Sequence, residues 1–338
     1  MLVCPAAWYQ TVRGKPADAL KLNESAPVPK PAQGEVLIRV HSVGLNPVGY
    51  KLMAMTVWPL FKLPAIPELD FSGTVVDANG TTWKAGQKVL GRFGTGAKMN
   101  KGQGALSEYT VISAENIVEK PDSLPFDQAA GLSTVGLTAY DCLSVRPNQV
   151  KPGSSVFING GSSSVGQMAV QIAKNMGASD IAASCSKENH AIVRELGATD
   201  LYDYKASPLT EQLKSSRSGR PFDLIVDAVG SPELFTSSTS YLKPDGLFVT
   251  ISANGSTAAP MGMAMFRPTF LGGTPRAFKL IMTDWNKGHF ADMLRWQSEK
   301  KLKVPIDSVH QGTQQGVMQA YDRIMSERAK GKVIIDMQ

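Results

Sequence analysis

The sequence predicts an α/β chain with a β-rich first domain and a second domain built on a doubly wound parallel sheet. Three observations carry that reading. Up to about residue 120, short apolar runs are broken repeatedly by Gly and Pro. From residue 126, strand-like runs alternate with helical ones. At 158–174, "INGGSSSVGQMAVQIAK", a strand passes into a helix through a loop made almost wholly of Gly and Ser.

In chain order, "GEVLIRVHSVGL" (34–45), "DFSGTVVDANG" (70–80), "GQKVLGRF" (86–93) and "GALSEYTVI" (104–112) are β-rich stretches bounded by turn residues, and they predict the strands of the first domain. The period then changes. "FDQAAGLSTVGLTAYDCLSV" (126–145) reads as a helix, "SSVFING" (154–160) as a buried strand, and "SVGQMAVQIAKNMG" (164–177) as a helix stopped by Gly177. Strand "SDIAASCS", helix "ENHAIVRELG" and strands "DLYDY", "FDLIVDAVG" and "GLFVTIS" follow. Strands and helices alternating at this spacing predict a Rossmann-like domain. After residue 278, a helix over "FADMLRWQSEKK" and a closing strand, "GKVIIDM", return the chain to the first domain. The expected division is 1–128 with 278–338 for the β-rich domain, and 129–277 for the parallel sheet.

The chain has 338 residues, 43% of them apolar, enough for two cored domains. Its 35 basic against 29 acidic residues give a net charge of +6, but the cations are scattered, which favours small anionic ligands over nucleic acid. Cys4, Cys142 and Cys185 are too few and too far apart for a disulfide framework or a structural zinc knuckle, and a reducing, cytoplasmic compartment is expected. The start, "MLVCPAAWYQTVRGK", does not read as a secretory leader. Residues 152–173 and 246–266 are uncharged but crowded with Gly, Ser, Asn or Pro, so no membrane span is expected.

The Gly/Ser loop points to a dinucleotide. At the start of a crossover helix, unpaired amides and the helix dipole meet a pyrophosphate, and large side chains would block the approach. Gly160 and Gly166 stand six apart, with Ser163 where a middle glycine is common. A tight strand-to-helix turn with no ligand is the competing reading. At the end of the second strand, an NAD site places an acid that accepts from the ribose hydroxyls. Here the stretch is "SCSKEN": Ser184, Ser186 and Lys187 offer hydroxyls and a cation, which suit a 2′-phosphate and predict NADPH. A solvated lysine is the alternative for Lys187. Tyr204 is placed to flank the same phosphate, and Glu188 argues against it.

These stretches, with "PELDFSGTVV", "GLSTVGLTAYDCL" and "ELGATDLYDY", run from end to end of the chain, and the whole resembles the medium-chain dehydrogenase/reductase superfamily, in its zinc-free quinone oxidoreductase and enoyl reductase branch. The resemblance implies a GroES-like catalytic domain joined to a Rossmann NADPH-binding domain. Aligned on the motifs, the zinc ligands of the alcohol dehydrogenases fall at Asn46 and Leu69, and the segment of their four-cysteine lobe, 91–104, holds no cysteine. No metal is therefore expected. The histidines, His41, His190, His289 and His310, show no ligand spacing. Without a Lewis acid, hydride must go to an acceptor that needs little help, a quinone or an enone, oriented by one or two hydrogen bonds.

The resemblance points to Asn46, Tyr50 and Lys51 as pocket residues. An Asn-Pro turn, a packing tyrosine and a surface lysine are their alternatives. Relatives often carry an acid two residues after the proline, where this sequence has Gly49. For the cofactor, the resemblance implies Ser162, Ser163, Ser164 and Val165 at the pyrophosphate and Thr138 near the nicotinamide. It also implies Gly230, Ser252, Ala253 and Asn254 at strand ends, and Arg328 and Lys330 over the adenosine phosphate, where plain surface charges compete. The Met-rich segment 255–280 is similar to substrate-entrance segments of fungal-type enoyl reductases, with a core or subunit-contact role as the alternative. The expected activity is NADPH-dependent reduction of a quinone or enone. The alternatives are an enoyl-thioester reductase and an NADPH-responsive RNA-binding protein. A homodimer or a monomer is expected.

Overall fold

The computed structural model describes residues 6–55, 62–94, 101–252, 261–263, 267–268, 271 and 273–338. The chain forms two compact units: Met1–Thr134 with Asp284–Ser298 and Val304–Gln338, and Val135–Thr283 with Glu299–Lys303.

In the first unit, β1 (Ala7–Gln10) and β2 (Leu20–Asn23) make an antiparallel pair. The main sheet has seven strands: β3 (Glu35–Gly44), β4 (Asp70–Asp77), β5 (Lys88–Arg92), β6 (Tyr109–Ser113), β7 (Ile117–Glu119), β14 (Ile306–Gln311) and β15 (Lys332–Asp336). Its order is β14-β15-β3-β4-β5-β7, with β6 also paired to β3. The register sets Gly44 opposite Asp70 and Asp70 opposite Arg92, so an acid and a base share one end of the sheet. Trp8, Phe71 and Phe93 fill the core. Helix Gln314–Met325 packs there through Val317, Ala320, Tyr321 and Ile324, the stripe its 3.6-residue period lays on one face. Thr313 caps it, accepting from the amide of Gly316.

The second unit carries a six-stranded sheet of β8 (Ser155–Asn159), β9 (Asp180–Ser184), β10 (Asp200–Tyr202), β11 (Phe222–Asp227), β12 (Leu242–Thr250) and β13 (Ala277–Leu280). All its pairings are parallel, in the order β10-β9-β8-β11-β12-β13. The order reverses between β8 and β11, and open α/β sheets bind ligands at the carboxyl ends of the strands flanking such a reversal. β8 and β11 are buried almost throughout, which is why their sequences read as unbroken apolar runs.

Each strand and helix quoted from the sequence has a counterpart. Among the elements the structure adds are β1, β2, β7, helix Pro47–Met55, helix Leu209–Ser216 before β11, helix Gln314–Met325, and strands β13 and β14. Helix Leu209–Ser216 buries only Leu213 fully, so its apolar signal is faint. β13 joins the parallel sheet, and the second unit runs to Thr283, past the boundary drawn at 277/278.

Candidate active site

The Gly/Ser loop leaves β8 at Asn159 and enters helix Ser164–Asn175. Gly160 turns the chain at φ 82°, a left-handed conformation that favours glycine. A Cβ on Gly166 would lie 2.1 Å from the carbonyl oxygen of Gly160, so only glycine lets the helix start this close to the strand. Ser163 is the N-cap, its hydroxyl accepting from the Gly166 amide at 3.1 Å. Helix geometry gives the amides of Ser164 and Val165 no acceptor within the helix. Residues 162–165 are all partly accessible. This is a bare, partly positive helix terminus that fits a dinucleotide pyrophosphate.

Beneath the loop, three strand ends are tied together by short side chains. Ser184, at the end of β9, donates to Asn159 Oδ1 at 2.6 Å and accepts from the Gly160 amide at 2.9 Å. Asn159 donates to Asp227 Oδ1 at 2.8 Å. Asp227, ending β11, also accepts from the amides of Val229, Gly230 and Ser231. Gly230 adopts φ 90°, and a Cβ there would meet Ser252 Oγ at 2.7 Å.

Two of the serines expected at the 2′-phosphate take part in this arrangement. Ser184 and Ser186 are buried, with hydroxyls engaged inside the protein; Ser186 accepts from Asn189 at 3.2 Å. Ser184 ties the loop to the strand end through Asn159 and the Gly160 amide, and Ser186 bonds Asn189. Lys187 is exposed, and Tyr204 is 54% exposed. Glu188, the acid that argued against NADPH, pairs with Lys205 at 2.8 Å. Thr138 is buried on helix Phe126–Leu143, accepting from the Thr283 hydroxyl at 2.9 Å. Ser252 is half-buried, its amide donating to Thr250 Oγ1. Ala253 and Asn254 lie outside the described residues, as does much of 255–280. Arg328 and Lys330 are exposed and belong to the first unit. The Lys330 amide donates to Asp307 Oδ1 at 2.8 Å.

The first unit holds a polar cluster that the sequence did not announce. Asn46 is buried, and its amide group donates to Asp70 Oδ2 at 2.9 Å and to the Gly44 carbonyl at 3.2 Å. Its Oδ1 accepts from Lys332 Nζ at 2.7 Å. Lys332 is fully enclosed and also donates to the Leu45 carbonyl at 2.9 Å and to Asp70 at 3.2 Å. Burial pulls its ammonium below the usual lysine range, and Asp70 opposes that pull. Asp70 Oδ1 accepts from Thr134 Oγ1 at 2.5 Å, and Thr134 accepts from Arg92 Nε at 2.9 Å. Glu68 is buried beside them, accepting from the Asn46 amide at 3.3 Å and from the Tyr321 hydroxyl at 2.8 Å. Burial, with the Glu68 charge, holds Tyr321 far above the usual phenol range, so it stays a donor.

Both hydrogens of the Asn46 amide group are thus engaged within the protein. Tyr50, on helix Pro47–Met55, is half-buried, and burial raises its phenol pKa. Lys51 is exposed. At the aligned zinc positions stand a locked amide and Leu69, a buried apolar residue, with a lysine ammonium bonded to the former. Such a set does not fit a zinc ion. Among the described residues, no group of three His, Cys, Asp or Glu side chains is arranged to hold a metal. Nor, among them, is any helix long and apolar enough to cross a membrane.

The profile of the zinc-binding dehydrogenase family matches residues 164–297, and that of the alcohol dehydrogenase GroES-like domain matches residues 32–122. The chain is 34% identical to a trans-enoyl reductase of Aspergillus terreus, over 94% of this chain and 91% of that protein. It is 33% identical to a zinc-type alcohol dehydrogenase-like protein of Schizosaccharomyces pombe, over 98% of this chain and 96% of that one. Among solved structures, the quinone oxidoreductase from Coxiella burnetii superposes with a TM-score of 0.83 at 26% identity, covering 99% of each chain.

Proposed function

The chain belongs to the medium-chain dehydrogenase/reductase superfamily, as an oxidoreductase with a GroES-like and a Rossmann-type domain, and from that premise we propose that it is a zinc-independent, NADPH-dependent reductase of quinones or enones. Members of the superfamily bind NAD(P), and bound nicotinamide supplies the hydride. The observation that carries the reading is the locked Asn46 amide, bonded to Asp70 and Lys332 where a zinc ligand would stand. The acceptor is accordingly one whose double bond is already electron-poor and needs orientation and a hydrogen-bond donor at the oxygen that gains charge. Tyr50, which burial keeps protonated, and Lys51 are the side chains of this turn that serve as donors, while Asn46 holds the turn.

The choice of NADPH rests on Lys187. It is exposed three residues past the buried strand end, and the neighbouring acid, Glu188, pairs with Lys205. Lys187→Ala should weaken NADPH about tenfold, roughly 1.4 kcal/mol, and leave NADH unchanged in a fluorescence titration. An equal loss for both cofactors, or no preference in the parent protein, rejects the assignment. A second reading, reduction of an enoyl thioester, is supported by the 34% identity to the Aspergillus terreus trans-enoyl reductase. Turnover of a simple quinone against that of an enoyl thioester separates the two.

A further inference from the structure

We propose that Glu68 is a positioning residue for the Asn46–Tyr50 turn, acting from the space that Gly49 leaves open; this rests on the reading that the turn faces the acceptor. A Cβ built on Gly49 would lie 2.1 Å from Glu68 Oε1 and 2.6 Å from Oε2. The carboxylate therefore occupies the volume a side chain at position 49 would need. Any side chain at position 49 would force the Glu68 carboxylate to move.

Glu68 reaches this place at a cost. Its φ is 65°, in the left-handed region where a residue with a Cβ is strained. Such strain persists only where the surroundings over-determine it, and here they do. Oε1 accepts from Tyr321 on helix Gln314–Met325, and Oε2 accepts from the Asn46 amide just ahead of helix Pro47–Met55. The Gly49 amide closes the turn onto the Asn46 carbonyl at 2.9 Å. A negative charge at this point also meets the positive end of helix Pro47–Met55. The Asn46 backbone is fixed by Glu68 and its side chain by Asp70 and Lys332, so the direction in which Tyr50 leaves the turn is set from both sides. At 0% exposure, Glu68 acts through these groups and not on substrate.

Moving the carboxylate tests the idea. Glu68→Gly relaxes the backbone but removes the anchor, and kcat/KM for the quinone should fall about tenfold with NADPH affinity held within about twofold. Gly49→Asp alone crowds two carboxylates into one space and should lower both activity and melting temperature. The double variant, Glu68→Gly with Gly49→Asp, returns one carboxylate to the turn and should recover kcat/KM to within about threefold of the parent. Parent-like activity in Glu68→Gly, or a double variant no better than either single, overturns the proposal. If the parent reduces neither quinone nor enone, the functional reading fails by itself. The melting temperatures of the four proteins then judge the pairing: a double variant more stable than Gly49→Asp by more than Glu68→Gly gains over the parent supports it, and strict additivity overturns it.

Discussion

Two polar clusters at strand ends divide the work, and they are built in opposite ways. The cradle under the Gly/Ser loop uses Ser184, Asn159 and a single acid, Asp227, satisfied by backbone amides. The cluster around Asn46 uses two carboxylates, an ammonium and a guanidinium, all buried. A cradle for a phosphate must leave amides available to an incoming anion, and neutral side chains stiffen the loop without competing for that charge. A turn that must be held in one place gains from charges, because in low dielectric each bond is strong and the loss of one is severe.

The largest expected effect follows from that contrast. Lys332→Ala would leave Asp70, Asn46 Oδ1 and the Leu45 carbonyl each short of a donor in a site closed to water. It should destabilise the protein by about 3–5 kcal/mol in urea unfolding. A loss under about 1 kcal/mol would mean that water or Arg92 takes over, and the distinction between the clusters would collapse.

Ser184→Ala probes the neutral cradle and should cost less, about 0.5–1.5 kcal/mol, since one hydroxyl bonded to neutral groups is lost. Its signature lies in ligand binding. A residue that holds the loop affects NADPH and NADH alike, whereas a residue touching the 2′-phosphate affects NADPH alone. Equal weakening in paired titrations is expected, and selective loss of NADPH would return Ser184 to the phosphate.

The same contrast explains what could be read beforehand. The parallel sheet and the Gly/Ser loop were legible because their determinants are local: Gly160, Ser163 and Gly166 sit on one turn, and β8 and helix Ser164–Asn175 flank it. Lys187 could be picked out for the same reason, three positions beyond β9. Ser184 and Ser186 were placed on the right strand end, but nothing in a sequence says whether a serine points at ligand or into the fold. The charged cluster was invisible because its members are Asn46, Glu68, Asp70, Arg92, Thr134, Tyr321 and Lys332, gathered by strand register and by the return of the chain at β15. One local hint existed in Gly49, where the resemblance often places an acid, but it did not point to Glu68. Tyr321 sits on the apolar stripe of helix Gln314–Met325, which the sequence reading passed over, and its hydroxyl partner Glu68 lies far away in the chain.

The smallest effect concerns how helix Gln314–Met325, which carries Tyr321, is pinned at its outer end. Arg323 grips Asp307 of β14 with bonds of 2.7 and 2.6 Å, and the Lys330 amide adds a third at 2.8 Å. The Arg323 bond, together with that amide and against some burial, holds the Asp307 carboxyl below the usual range of about 3.9. A depressed acid contributes stability above its unfolded pKa and loses it as pH falls through the folded value, so the contribution is complete above about pH 4 and fades below it. Arg323 stays protonated throughout and titrates nothing in this window. Asp307→Asn should therefore destabilise the protein at pH 7 by less than about 1 kcal/mol, because the arginine is partly in water, and less again at high salt. The deficit should shrink on acidification and vanish once the parent's own Asp307 is protonated, with NADPH affinity unmoved at neutral pH. A deficit of constant size down to the acid limit would show that packing, and not charge, fixes this end of the helix, and the charged anchoring assigned to the first unit would then stop at its buried core.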